Sequence, residues 1–129
     1  MNTSTVQSIN PNGSAPPGGH YSHGTVANGF VFVSGQLGLT PGHSELAGET
    51  IEAQTTQIFD NLEAILTAAG SGLERLVKTT VFLTSLDDFQ GMNAIYAERV
   101  GATPPARSTV EISALPSGVL VEIEAVALL

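Results

Sequence analysis

Residues 119–128 read VLVEIEAVAL, and their side chains alternate strictly between two sets. Successive side chains on a β-strand point to opposite faces, so this stretch predicts a strand close to the C-terminus. One face of that strand is wholly apolar, whereas the other carries Glu122 and Glu124 among apolar neighbours. The pattern predicts a strand that buries its apolar face in a core and turns both carboxylates the other way.

The rest of the chain supplies the elements that surround this strand. Period-two alternation predicts further strands, at residues 21–27, 30–35, 77–84 and 106–112. Asn28-Gly29 predicts a hairpin between the first two, because both residues accept a positive φ angle. Apolar residues at helical spacing predict helices at 50–69 and at about 87–100, with Asp87 or Ser85 as the cap of the second.

The resulting order of elements is β-β-(β)-α-β-α-β-β, in which the bracketed element is a short strand near residues 36–39. A sheet with two helices on one face satisfies the requirement that each element buries its apolar side. We therefore expect a single α+β domain over residues 1–129, in which residues 1–18 form a loose lead-in rich in Asn, Ser, Pro and Gly. The other sheet face keeps apolar side chains, so we expect subunits to pack through it.

Composition narrows the possible functions. The chain has 129 residues, a formal net charge of −8 and no cysteine, which excludes disulfides, thiol nucleophiles and thiolate metal sites. The acidic surface would repel a nucleic-acid backbone, and no cluster of Lys and Arg offsets it. Residues 1–17 lack the basic and apolar regions of a secretion signal, and no apolar run approaches a membrane span, so we expect a cytoplasmic protein.

Arg107 is one of only four cationic side chains, and it lies where Pro104-Pro105 gives way to a strand. A guanidinium is always charged and binds a carboxylate through two parallel hydrogen bonds. Arg107 is therefore a candidate anchor for a small carboxylate ligand. The alternative is an exposed strand residue paired with Glu111, an arrangement that contributes little to stability.

Other polar residues have two interpretations each. Glu122 among apolar side chains predicts a carboxyl of raised pKa suited to proton transfer, or else a solvated strand face shared with Glu124. Asn93 shares the apolar stripe of the second helix, as a structural tie or as a ligand contact. Tyr21 and Ser34 stand near glycines, where a ligand can approach the backbone, or belong to ordinary sheet packing.

The histidines His20, His23 and His43 raise the question of a metal site. His20 and His23 are three residues apart, which on a strand places them on opposite faces. No other cluster of ligand-type residues accompanies them. The sequence therefore predicts no metal, and its glycines match no phosphate-binding loop.

Five short motifs occur together in this chain. They are Ser34-Gly35-Gln36, Val77-Lys78-Thr79-Thr80-Val81-Phe82-Leu83, Asn93-Ala94-Ile95-Tyr96, Pro105-Ala106-Arg107-Ser108 and Val121-Glu122-Ile123-Glu124-Ala125. In this combination the chain resembles the RidA/YjgF family, the reactive intermediate (imine/enamine) deaminases. The resemblance runs from about Gly19 to the C-terminus.

This resemblance implies a chorismate-mutase-like (bacillus-type) α+β fold, with a six-stranded mixed sheet and two helices on one face. It also implies a homotrimer with a ligand cleft between each pair of subunits. The implied activity is hydrolysis of 2-imino or 2-enamino acids, such as 2-aminoacrylate, to 2-oxo acids and ammonia, without cofactor or metal. Such an enzyme would be of the 2-iminobutanoate/2-iminopropanoate deaminase type, with no nucleic-acid or membrane partner.

The matching positions also imply roles for individual residues. Arg107 binds the substrate carboxylate, and Glu122 orients the attacking water or transfers protons. The implied lining of the cleft is Tyr21, Ser34, Gly35 and Asn93. The chain departs from the family at His20 in place of proline, His23 in place of glutamine and Thr109 in place of cysteine, and the stretch from Tyr96 to Pro104 is shorter. These departures border the expected cleft and bear on the preference for substrate side chains.

Three further functions stay open on the sequence. The first is a non-catalytic binder of small carboxylates, or a regulatory protein of the same fold. The second is a deaminase of a larger, pathway-specific enamine. The third, endoribonuclease activity, is disfavoured by the net charge of −8.

Overall fold

The computed structural model of the chain describes residues 5–42 and 44–129. Its elements are β1 (Gln7–Ile9), β2 (Gly24–Ala27), β3 (Phe30–Gln36), α1 (Ile51–Ala69), β4 (Leu76–Leu83), α2 (Phe89–Val100), β5 (Ala106–Glu111) and β6 (Val121–Leu128). One six-stranded sheet has the strand order β1-β2-β3-β6-β4-β5. Both helices lie on the same face of it, so the predicted six-stranded mixed α+β fold is confirmed. In the described part of the chain, no helix combines the length and apolarity needed to cross a membrane.

The strands pair antiparallel except for β4 and β5, which run parallel and are joined through α2. A parallel pair needs a long crossover, and a helix is its usual form. Strand β6 occupies the middle of the sheet, where the alternation seen in the sequence buries Val121, Ile123, Ala125 and Ala127 under the helices. We call this the covered face of the sheet and the opposite side the open face.

Helix α1 has both of its ends specified by sequence. The Thr50 side chain accepts a hydrogen bond from the Ala53 N–H at the N-terminus, and Gly70 ends the helix in the left-handed conformation. Its buried side includes two polar residues, Gln54 and Thr55, and Gln54 is only 2% exposed. The Gln54 amide donates to the Gly48 carbonyl and accepts from the Leu120 N–H, so it ties two loops to the helix.

The open face carries apolar side chains with nothing over them in a single protomer. Phe32, Val110 and Leu128 are each 40–45% exposed on this face. Exposed apolar clusters of this kind mark surfaces that bind other proteins. Packing of subunits through the open face stays a prediction.

The structure corrects several details of the predicted elements. The separate short strand predicted near residues 36–39 is absent: Gln36 is the last residue of β3, and beyond it only a single bridge joins Leu39 to Leu46. The sixth strand is instead β1, inside the supposedly loose lead-in, and β2 begins at Gly24 rather than at residue 21. Helix α2 begins at Phe89 after a short 3-10 turn, and Ser85 rather than Asp87 caps that turn. The Asn28-Gly29 hairpin is confirmed, since both residues have positive φ.

Candidate functional site

Arg107 leaves β5 on the covered face and reaches the outer turns of α2. The strand register places it beside the buried Thr79 of β4. Its Nη1 donates to the Oδ1 of Asn93 at 2.8 Å. The guanidinium carbon lies 4.6 Å from the ring centre of Tyr96 and 5.4 Å from that of Phe89, both within the range of cation–π attraction. The Tyr96 ring is itself fixed, since its hydroxyl is 2.6 Å from the Thr79 hydroxyl.

The groups that contact the guanidinium of Arg107 are an amide and two aromatic rings, all of them neutral. Among the described residues, the ion pairs within 4.0 Å involve Arg99 with Asp60 and Glu63, and none involves Arg107. The alternative pairing with Glu111 is wrong, because that carboxylate accepts a hydrogen bond from the Leu86 N–H. A half-buried guanidinium oriented by an amide and two rings, but not neutralised, is suited to bind an anion.

Glu122 leaves β6 on the open face, against the backbone of β3. A register shift between Val33 and Gln36 interrupts the pairing of β3 with β6 at this point. Gly35 lies within the interruption, and a Cβ atom there would lie 2.7 Å from the Glu122 carboxyl carbon. Only glycine leaves room for the carboxyl in its present place. The motif Ser34-Gly35-Gln36 therefore provides the space that the Glu122 carboxyl occupies.

The surroundings of Glu122 alter its acidity. Burial raises the pKa of its carboxyl above the ordinary value of 4.5, and the neighbouring Glu124 carboxylate raises it further. A carboxyl shifted in this direction holds and releases a proton closer to neutral pH, which suits it to acid–base chemistry. The prediction of a raised pKa agrees with the structure, and the purely solvated strand face does not.

Tyr21 and Ser34 lie close to Glu122 in the fold. Tyr21 shares a cleft with Gly35 and Glu122, and its phenol oxygen accepts a hydrogen bond from the Gly18 N–H at 3.1 Å. Its side chain is otherwise open to solvent. Ser34 directs its hydroxyl to the Ser22 carbonyl at 2.7 Å, so in a single protomer that hydroxyl serves the sheet.

The predicted site residues form two separate groups. We call Tyr21, Ser34, Gly35 and Glu122 the Glu122 half-site. Asn93 and Arg107, with the rings of Phe89 and Tyr96, form the Arg107 half-site. Within one chain, Arg107 and Glu122 do not lie on neighbouring strands, since β4 separates β5 from β6.

The sheet register gives the separation of the two half-sites. Arg107 is opposite Thr79 of β4, whereas Glu122 is opposite Phe82, three residues further along. With two strand spacings across and three residues along, their Cα atoms lie roughly 14 Å apart. Their side chains also leave opposite faces of the sheet. A substrate of a few atoms cannot contact both within one chain.

A cleft of about 830 Å³ opens at the Glu122 half-site. It runs from Glu122 and Tyr21 past the end of β3 to the outer side of α1, where Asn61 and Ala64 line it. The lead-in forms the wall opposite α1. The cleft therefore gives Glu122 access from solvent, through a passage with both polar and apolar walls.

The histidines do not come together. His23 is buried with its backbone in the sheet region, whereas His20 is exposed, and His43 lies outside the described residues. Over residues 5–42 and 44–129, no group of three or more His, Cys, Asp or Glu side chains could hold a metal ion.

Two functional contacts were missed in the sequence. Phe89 and Tyr96 belong to the apolar stripe predicted for the second helix, and in the structure their rings also contact the guanidinium of Arg107. Phe89 lies four residues before Asn93 and Tyr96 three residues after it, and this helical spacing could have predicted that the three side chains share one face. Gln36 and the lead-in were assigned no role, although both line the cleft beside Glu122.

Comparison with known proteins identifies the family. The family described as Endoribonuclease L-PSP matches residues 12–129. A RutC family protein of Synechocystis is 49% identical over 115 residues, 88% of each chain. The chloroplastic Reactive Intermediate Deaminase A of Arabidopsis thaliana is 44% identical over 111 residues, 86% of this chain and 59% of the plant protein.

A solved structure gives the same result for the fold. The crystal structure of RidA from an Antarctic Psychrobacter species superposes with a TM-score of 0.91 and 38% identity, over 95% of this chain and 99% of that one. The match covers both half-sites. The chain therefore belongs to the RidA/YjgF family, whose family description is Endoribonuclease L-PSP.

Proposed function

We propose that this protein hydrolyses 2-imino and 2-enamino acids, such as 2-aminoacrylate and 2-iminobutanoate, to 2-oxo acids and ammonia. The observation that carries the proposal is the guanidinium of Arg107, oriented by Asn93 and two aromatic rings and left without an ionic partner among the described residues. Such a group binds a carboxylate through paired hydrogen bonds. The name of the plant relative, Reactive Intermediate Deaminase A, supports the same chemistry.

Glu122 supplies the proton transfers that hydrolysis needs. Water adds to C2 of the imine, so a C–O bond forms and the former imine nitrogen takes up a proton. The C–N bond of the resulting carbinolamine then breaks, the nitrogen leaves as ammonia, and the hydroxyl proton is released as the 2-oxo acid forms. A carboxyl of raised pKa accepts the proton of the attacking water and returns a proton to the leaving nitrogen.

The complete site is proposed to form between two protomers of a homotrimer. Within one chain the two half-sites lie on opposite faces of the sheet, roughly 14 Å apart. The exposed apolar side chains of the open face, including Phe32 and Val110, favour packing of further copies there. In this arrangement, Arg107 of one protomer and Glu122 of the next hold the two ends of a small substrate.

Cleavage of RNA is the activity that the family description suggests, and the charge of this chain disfavours it. The formal net charge is −8 with only four Lys and Arg residues. Two of the arginines are engaged within the fold: Arg75 with backbone carbonyls at the C-terminus, and Arg99 with acidic side chains. A polyphosphate chain would meet no basic surface along the described residues.

The test is a coupled assay in which an amino-acid oxidase generates the imine and the 2-oxo acid is measured. The rate of spontaneous hydrolysis is subtracted. We expect Arg107→Ala to lower kcat/KM about 100-fold, since two charge-assisted hydrogen bonds are lost. Arg75→Ala is the matched control, because it removes the same charge from an arginine that donates to the Leu128 and Leu129 carbonyls and not to either half-site. Equal rates for wild type and Arg107→Ala would reject the proposal.

A further inference from the structure

His23 is buried and joins the lead-in to the body of the protein through three hydrogen bonds. Its Nε2 lies 2.5 Å from the Ala15 carbonyl oxygen, and its Nδ1 lies 3.4 Å from the Gln36 side-chain nitrogen. A carbonyl only accepts, so Nε2 donates and Nδ1 accepts, which is the neutral imidazole. The His23 backbone N–H donates to the Asn10 side chain at 2.9 Å.

The segment held by His23 forms one wall of the cleft beside Glu122. We call residues 11–16 the lead-in wall, since all six of them line the cleft. The Gln36 amide that contacts His23 also donates to the Ser34 carbonyl at 3.1 Å, next to Gly35. The imidazole thus connects the lead-in wall to the segment of β3 that lies against Glu122.

The size and lining of this cleft exceed what the smallest imino acids need. With the substrate carboxylate on Arg107 and C2 at Glu122, the side chain on C2 is the remaining part that can enter the cleft. Its walls there include the apolar side chains of Pro16, Leu37, Leu39, Ala64 and Ile65. An apolar group longer than methyl is the chemistry that such walls bind.

We propose that His23 is a positioning residue that fixes the lead-in wall and thereby gives the enzyme its preference for 2-imino acids with larger apolar side chains. His23 acts through the lead-in and not on the reacting atoms. The inference rests on the proposed deaminase function, which it deepens by naming the substrate class.

The test compares His23→Leu with His23→Gln. Leucine fills the space but makes neither side-chain hydrogen bond, whereas glutamine can donate to Ala15 and accept from Gln36. Imines with a methyl and an isobutyl side chain are generated from alanine and leucine by an amino-acid oxidase. We expect His23→Leu to lower the ratio of kcat/KM for isobutyl over methyl about tenfold, mainly through KM, because the additional carbons lose a fixed apolar wall. His23→Gln should restore most of the ratio.

A second measurement reads the lead-in directly. Hydrogen exchange of the backbone amides in residues 12–18 should become about tenfold faster in His23→Leu and stay close to wild type in His23→Gln. Asn10→Ala, at an exposed position, should also lower the kcat/KM ratio and speed up amide exchange, but by less than His23→Leu. This variant still tests the inference if His23→Leu does not fold. His20→Leu is the matched control: although the sequence placed His20 at the border of the cleft, the structure leaves it exposed and outside the cleft lining, whereas His23 lines the cleft.

Three results would overturn the inference: an unchanged ratio in both His23→Leu and Asn10→Ala, an equal rise of KM for both imines, or unchanged amide exchange of the lead-in. Absence of any turnover by wild type would instead reject the proposed function. In that event, calorimetric binding of 4-methyl-2-oxopentanoate against pyruvate still tests the side-chain preference. A preference in wild type that His23→Leu abolishes would support the role of His23, and equal affinities in both proteins would contradict it.

Discussion

The guanidinium of Arg107 and the carboxyl of Glu122 leave opposite faces of one sheet, with strand β4 between the strands that carry them. Each group is nevertheless held in place by residues of its own chain. Arg107 is oriented by Asn93 and Tyr96, and Glu122 is seated on Gly35. This separation is the reason for the proposal that a second copy of the chain completes the site.

Replacing Glu122 should separate catalysis from binding. Glu122→Gln keeps the size of the side chain but removes its ability to take up and release a proton, so we expect kcat to fall roughly 100-fold or more. Binding of a 2-oxo acid, measured by calorimetry, should change little, because Arg107 holds the carboxylate. In Arg107→Ala the binding itself should be lost. Loss of 2-oxo acid binding in Glu122→Gln with kcat retained would contradict these roles.

Glu122 should also make stability depend on pH. Burial raises the pKa of its carboxyl in the folded protein, with a further contribution from Glu124. As the pH rises above 4.5, the unfolded chain releases this proton before the folded chain does, so the free energy of unfolding falls until the pH passes the folded-state pKa. Glu122→Gln should lack this decline. Denaturant unfolding of both proteins between pH 4 and pH 8 measures it, and parallel pH profiles would refute the assignment.

Gly35 should be required for activity more than for stability. A methyl group at this position would lie 2.7 Å from the Glu122 carboxyl carbon, which is the end of a flexible side chain and can move aside. We therefore expect Gly35→Ala to lower kcat at least tenfold, since small displacements of a catalytic group are costly. Thermal unfolding should change by only a few degrees. A wild-type kcat in this variant would show that the position of the carboxyl is not critical.

Local sequence patterns predicted most of the elements because period and capping are local properties. The alternation of residues 119–128 identified the buried face of β6, and apolar residues at helical spacing located α1 to within one residue at its N-terminus. Strand β1 was missed because three residues are too few to show a period. It is held by pairing with β2, which lies far along the chain.

The arrangement of the site could be predicted only in part. Arg107 and Glu122 were identified as candidates from their residue types and from the family resemblance. Their relative placement depends on the insertion of β6 between β3 and β4, which is a long-range pairing that no local pattern specifies. The same holds for the aromatic rings around Arg107, since their contact depends on how α2 packs over β5.

Gln54 is a buried polar residue whose importance appears only in the structure. Gln54→Leu leaves the Leu120 N–H and the Gly48 carbonyl without their partner, which should lower the free energy of unfolding by about 1–3 kcal/mol. Gln57→Leu is the matched control, since Gln57 bonds only to the Asn61 side chain on its own helix, and it should cost less than about 0.5 kcal/mol. Urea unfolding measures both values. Equal values for the two variants would show that Gln54 does not tie the loops.

The central claim is that Arg107 of one protomer and Glu122 of another act on the same substrate. Co-expression of Arg107→Ala and Glu122→Gln chains, each with its own affinity tag, tests it most directly. In every trimer that contains both variants, one of the three interfaces pairs the intact arginine of one chain with the intact glutamate of the other. We predict that mixed trimers purified through both tags recover about a third of wild-type deaminase activity, whereas each variant alone is nearly inactive. Mixed trimers as inactive as the separate variants would contradict the account.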